Sequence, residues 1–205
     1  MLVDSEKLGN HVFAEMLAIY GHQISGDELI NRFRGMKLLE CLAILERESG
    51  IGLPESFETD LRQRMSSVFQ AQLRPVKGAL RLVESLRIPF CVASSGPRKK
   101  IEENLQTTNL YAHFAGKIFS AYEIGSWKPD PGLFLSAAKH FGVAPRDCIV
   151  VEDSFVGVSA GVAANMTVLA LSATVNNESL AAANKVFESM DEIHEYLVSQ
   201  KLSTE

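Results

Sequence analysis

Residues 148–154 read Cys148-Ile149-Val150-Val151-Glu152-Asp153-Ser154 and run directly into Phe155-Val156-Gly157-Val158-Ser159-Ala160-Gly161. A continuous β-branched run that ends in two carboxylates and then small residues is the pattern of a buried parallel strand turning straight into a helix. In open α/β sheets, ligands bind in the crevice at the carboxyl ends of the strands, where Glu152 and Asp153 would sit. Two acids there are costly to bury alone, and a hard divalent cation is one explanation. Capping of the following helix by Asp153 or Ser154 is the other. On this stretch alone both readings stand.

The rest of the chain divides by hydrophobic period. From about Ser5 to Gln72 every segment reads as helix. Leu8, Val12, Phe13, Met16, Leu17 and Ile19-Tyr20 make an apolar face, with Gly21 as a stop,. Further helices are expected from Ser25 to Phe33, around Leu38–Leu45, and from Pro54 to Leu73. After Pro75 helices and apolar strands alternate, with strands expected at 90–94, 117–119, 148–152, 166–171 and 185–187. Helices are expected at 76–86, 97–108, 131–141, 157–164 and 191–197. Repeated strand–helix units imply a doubly wound, Rossmann-like, mostly parallel sheet with helices on both faces.

Composition narrows the partners. A chain of 205 residues, 46% of them hydrophobic, holds one large domain or a core with an insertion, and is not disordered,. With 20 basic and 25 acidic residues and no basic tract longer than Arg98-Lys99-Lys100, nucleic acid is a poor fit,. That trio decorates a solvated helix start or meets a small anion. Cys41, Cys91 and Cys148 are far apart and odd in number, which suggests a reducing, cytoplasmic setting and no zinc site,. No apolar stretch approaches the ~20 residues that span a bilayer, and no secretory signal is visible. A monomer is expected. His11, His22, His113, His140 and His194 show no metal-like spacing, and neither a Gly-x-Ser-x-Gly elbow nor a P-loop occurs,.

Two further segments carry potential chemistry. Ser94-Ser95-Gly96-Pro97 ends a strand, so the Ser94 hydroxyl and the amides opening the next helix make a phosphate cradle,. Ordinary turn chemistry accounts for the same residues. In Trp127-Lys128-Pro129-Asp130-Pro131 the prolines disfavour helix and fix where Lys128 points,. A positioned ammonium neutralises charge on a transferring phosphoryl group, although an exposed lysine at a helix start fits the same residues.

The order Ser-Ser-Gly, Lys-Pro-Asp-Pro, Val-Val-Glu-Asp-Ser is far more specific than any one part. It resembles the haloacid dehalogenase superfamily of phosphohydrolases, in the branch of β-phosphoglucomutase and small sugar-phosphate phosphatases. The resemblance covers essentially the whole chain. It implies a helical cap domain at 5–74 inserted into an α/β core made of 1–4 and 75–205. It also implies Ser94 and Lys128 as catalytic residues, Ser95 and Gly96 as phosphate contacts, and Asp153 with Glu152 as ligands of magnesium, Mg2+. In the segment Asn31–Lys37, Arg34 and Lys37 match a substrate-facing cap loop, while a basic helix end is the alternative,.

The family's first motif is an apolar strand followed by Asp-x-Asp-Gly-x-Leu-Val-Asp-Ser-Glu. Met1-Leu2-Val3-Asp4-Ser5-Glu6 matches only its tail, so the nucleophilic and acid/base aspartates would lie before Met1. Asp4 matches the later aspartate and is expected to cap the first helix. The first, central strand is then absent, and its neighbours would face a gap of nearly ~10 Å. A start assigned too late explains this, and a degenerate pseudoenzyme is the next explanation. Gly9 stands where mutase members carry a histidine, and His11 would point elsewhere on a helix, which favours hydrolysis over mutase chemistry,. The expected function is magnesium-dependent hydrolysis of a small phosphorylated metabolite through an aspartyl-phosphate. The alternatives are a non-catalytic phosphate binder, a β-phosphoglucomutase-like mutase and, less well matched, a dehalogenase.

Overall fold

The computed structural model describes residues 1–33, 36, 38–172 and 178–204. The chain forms two compact units, Asp4–Arg74 and Met1–Val3 with Pro75–Glu205.

The first unit is helical: α1 (Ser5–Ile19), α2 (Gly26–Phe33), α3 (Leu38–Ser49) and α4 (Phe57–Gln72). Apolar residues at helical spacing bring Val12, Phe13, Leu17, Leu29, Leu42, Leu45, Phe57 and Leu61 into one core,. Ser25 caps α2, its Oγ accepting the Glu28 N–H at 3.1 Å,. Asp4 behaves otherwise than expected. It precedes α1, but its backbone (φ −86°, ψ 50°) lies outside the extended region of a capping residue and its side chain makes no cap bond,. A Cβ at Gly9 would stand 3.3 Å from the Phe69 ring, so this glycine lets α1 and α4 approach closely.

The second unit contains α5 (Ala79–Ser85), β1 (Val92–Ser94), α6 (Arg98–Thr107), α7 (Tyr111–Phe114), β2 (Ile118–Ser120), α8 (Ala121–Ile124) and α9 (Gly132–Phe141). It continues through β3 (Ile149–Glu152), α10 (Phe155–Ala163), β4 (Thr167–Leu171), β5 (Lys185–Phe187) and α11 (Met190–Ser199). Every pairing in its ladders is parallel, with Ser94 opposite Ser120 and Glu152 opposite Ala170. Strand side chains alternate between two cores. Val150, Val168 and Ala170 meet Phe134 and Ala138 of α9 and Val158 and Ala160 of α10. Ile149, Val151, Leu169 and Leu171 meet Leu82 of α5 and Ile193 and Leu197 of α11,. Strands covered on both faces in this way explain the continuous apolar runs in the sequence.

The α/β class with parallel strands and alternating helices is therefore what the chain forms. Among the described residues the ladder is in two parts, β1–β2 and β3–β4–β5, with β1 and β3 not paired to each other. The short α7 and α8 were not foreseen, since four residues are too few for a periodic signal,. Strand β1 begins at Val92, where pairing with Ile118 starts, rather than at Phe90.

Candidate active site

The end of β1 is organised around Gly96. Ser94 Oγ accepts the Gly96 N–H at 3.2 Å, and Ser120 Oγ, from the end of β2, donates to the Gly96 carbonyl at 2.7 Å. The loop is thereby tied to both strands, with Ser95 exposed on it. Helix α6 follows at once, with the basic trio in its first turn. Arg98 donates to Glu123 at 2.6 Å and to the Ile118 carbonyl at 2.8 Å, and Lys99 lies 3.8 Å from Glu103. Arg98 thus has a partner within the protein. Its hydrogen bonds pull the Glu123 carboxyl below the usual carboxylate range.

The lysine loop is closed by two sets of bonds. The Asp130 N–H donates to the Trp127 carbonyl at 2.9 Å around a cis Lys128–Pro129 peptide. Asp130 Oδ1 accepts from Ser126 Oγ at 2.5 Å and from the Gly132 N–H at 2.8 Å, and these bonds hold its carboxyl below the usual range. Lys128 is directed inward from this loop. Its ammonium donates to the Ala93 carbonyl of β1 at 3.2 Å and to Glu152 Oε1 at the end of β3, 4.9 Å above the Phe134 ring. Both ionic side chains are only 9% exposed. Lys128 is therefore a polar link between the carboxyl ends of β1 and β3.

The two acids separate. Glu152 turns inward, and its Oε2 accepts from the Asp153 N–H at 3.2 Å and from Ser154 Oγ at 3.1 Å. Ser154 caps α10 by accepting the Gly157 N–H at 3.1 Å, so the capping role falls to it and not to Asp153. Gly157 has to lack a side chain, because a Cβ there would overlap the Glu152 carboxyl group. Asp153 turns outward, 41% exposed, with Oδ2 at 3.0 Å from the Met1 amine. Among the described residues no group of three or more His, Cys, Asp or Glu side chains is placed to hold a metal ion. Magnesium sites commonly use one or two carboxylates and complete their shell with water and substrate phosphate. Asp153 fits that role as the accessible hard donor, with Glu152 behind it committed to Lys128.

Of the residues singled out in the sequence, Lys128 and Glu152 meet directly, at a strand end one residue from Ser94. Arg34 and Lys37 lie outside the described residues. Sequence reasoning missed Ser120 and Gly157 as supports, while Ser154 takes the capping role offered for it. Gly157, one helical turn past two strand-end acids, was a signal of a close approach that was available.

Residues 1–171 match the haloacid dehalogenase-like hydrolase family, and the chain belongs to it. It is 34% identical over 178 residues to the 6-phosphogluconate phosphatase of Escherichia coli K12, covering 86% of this chain and 80% of that protein. A haloacid dehalogenase-like protein of unknown function from Agrobacterium tumefaciens superposes with a TM-score of 0.86 at 28% identity, over 98% of this chain and 94% of that one. A family hydrolase from Deinococcus radiodurans with bound phosphate and sodium gives a TM-score of 0.84 at 27% identity, over 99% and 93% of the two chains. Among the described residues no helix is long and apolar enough to cross a membrane.

Proposed function

We propose that this chain carries the phosphate- and metal-binding machinery of a magnesium-dependent phosphatase acting on small phosphorylated carbohydrates. The observation that carries the proposal is the convergence of the Ser94 loop, Lys128 and the Glu152–Asp153 pair at the carboxyl ends of β1 and β3, joined by the buried lysine. The similarity to a 6-phosphogluconate phosphatase supports the substrate class.

In this reading Ser94 Oγ, which accepts the Gly96 N–H and keeps its own O–H to give, and the Ser95 amide donate to phosphoryl oxygens, and Lys128 offsets negative charge as the P–O ester bond breaks,. Asp153 would hold magnesium, which when bound supplies charge neutralisation on the phosphoryl oxygens, while Glu152, expected as a second ligand, has both carboxylate oxygens engaged within the protein. Glu152 keeps the lysine ammonium aimed. The attacking carboxylate is neither Glu152, which is fully engaged, nor Asp153, which serves the metal. The helical unit corresponds to the family's cap, with Arg34 and Lys37 reading the leaving group. The burial of Gly9 against Phe69 supports hydrolysis over mutase chemistry, since no acid/base side chain stands there.

Magnesium binding tests the metal assignment without reference to turnover. Magnesium should raise the melting temperature of the protein, and Asp153→Asn should remove that rise. An unchanged rise in the variant would place the metal elsewhere.

A further inference from the structure

Tyr122 and Trp127 are, with Phe155, the large exposed aromatic side chains of the α/β unit, and of these Tyr122 and Trp127 form a ring pair. They are 60% and 42% exposed, and their rings meet edge to face with centroids 5.4 Å apart. Phosphoryl chemistry uses neither ring, yet both are anchored to the segments that would flank a phosphoryl group. Trp127 directly precedes Lys128, and its carbonyl closes the lysine loop. Tyr122 lies in the first turn of α8, where its N–H donates to Ser120 Oγ at 3.3 Å, and that same hydroxyl donates to the Gly96 carbonyl. The next residue, Glu123, grips Arg98 immediately after the Ser94–Pro97 loop. The ring pair is thus fixed to the serine loop on one side and to the lysine loop on the other. It stands at the carboxyl edge of the parallel strands, where ligands of such sheets bind.

We propose that Trp127 and Tyr122 form an aromatic ledge for the carbon skeleton of a phosphorylated carbohydrate whose phosphoryl group is held at Ser94 and Lys128. This rests on the phosphatase reading above and adds a specificity element to it. An aromatic ring has an electron-rich face and a large apolar area, and the C–H face of a sugar complements both while its hydroxyls stay in water. Inorganic phosphate has no such face. The ledge therefore selects the organic part of the substrate and leaves the chemistry at phosphorus to the residues already named.

Trp127 is the chain's single tryptophan, so emission excited to the red of tyrosine absorption reports on this ring alone. The protein is titrated with glucose 6-phosphate, 6-phosphogluconate and inorganic phosphate in the presence of magnesium, following emission and heat together. At least one sugar phosphate should change the emission and bind roughly three- to tenfold tighter than inorganic phosphate, the range expected of one aromatic contact. Tyr122→Ala and Trp127→Ala should erase that advantage and leave inorganic phosphate binding unchanged, while Trp127→Phe should retain most of it. Heat of binding from all three ligands with no advantage for either sugar phosphate, or with an advantage that survives both alanine variants, would overturn the ledge and leave the phosphate site standing. The same emission change with inorganic phosphate would also overturn it. Absence of heat with every ligand would overturn the phosphatase reading as well.

Discussion

Replacing Gly157 by alanine should destabilise the protein, against the usual direction of such a change. In a helix, glycine to alanine ordinarily stabilises by about 0.5–1 kcal/mol. Here the added Cβ would lie 2.7 Å from Glu152 Oε1 and closer still to the rest of the carboxyl group. The carboxylate must retreat by roughly 1 Å to reach ordinary contact, in an interior with little room to yield. That movement breaks its bonds to Lys128, Ser154 and the Asp153 amide, and leaves a buried ion pair unmatched. Breaking a buried pair costs about 3–5 kcal/mol, so the net loss should be about 2–4 kcal/mol. Urea unfolding would show a midpoint lower by about 1–2 M with an unchanged slope. In a Glu152→Ala background the three nearest atoms, all of the Glu152 carboxyl group, are gone, and the same substitution should then stabilise by about 0.5–1 kcal/mol,. An effect of the same sign and size in both backgrounds would refute the seating of Glu152 against this helix.

Lys128→Met should cost about 3–5 kcal/mol in urea unfolding by stranding Glu152, and adding Glu152→Gln should recover much of it; additive losses would contradict the pairing. Burial pushes the Cys91 thiol up to about 11, with a smaller push from Cys148, so its neutral form is favoured in the folded state. The stability this contributes is present below the ordinary thiol range near 9 and is lost as pH rises through about 11; Cys91→Ala should lose one proton's worth of that pH dependence,. The Glu123 carboxyl is lowered by Arg98, so its contribution is present above the ordinary carboxylate range and fades as pH falls through the lowered value. Glu123→Gln should therefore differ slightly from the parent at neutral pH, converge with it in acid, and lose the difference in high salt.

What the sequence revealed was what local pattern controls. The strand–acid–acid–serine run could be placed at a strand end because a β-branched run and the small residues after it are contiguous. The same run left the capping residue open, because the choice between Asp153 and Ser154 depends on where Glu152 goes. Glu152 goes inward only because Lys128, 24 residues earlier in the chain, arrives beside it. That meeting is a product of sheet topology, which no window of sequence contains. The same holds for Arg98, whose basic trio read as a possible anion contact until α8 delivered Glu123. Helix α8 itself was invisible, being one turn long and started by a serine that also secures Gly96. Among the described residues β1 and β3 are not paired, and strand composition could not show this, because it does not reveal strand order.

In the proposed site Ser94, Lys128 and Asp153 act together on one phosphoryl group. The direct measurement is magnesium-dependent phosphate release from 6-phosphogluconate and glucose 6-phosphate. It is made on this chain with an apolar strand ending in Asp-x-Asp-Gly supplied ahead of Met1, alone and with Lys128→Ala or Asp153→Asn. Uncatalysed hydrolysis of phosphate monoesters is slow enough for accelerations of up to ~10²¹-fold, so background does not obscure the result. Turnover should depend on magnesium, and either substitution should abolish it. Turnover that survives Lys128→Ala or Asp153→Asn would contradict the assignment.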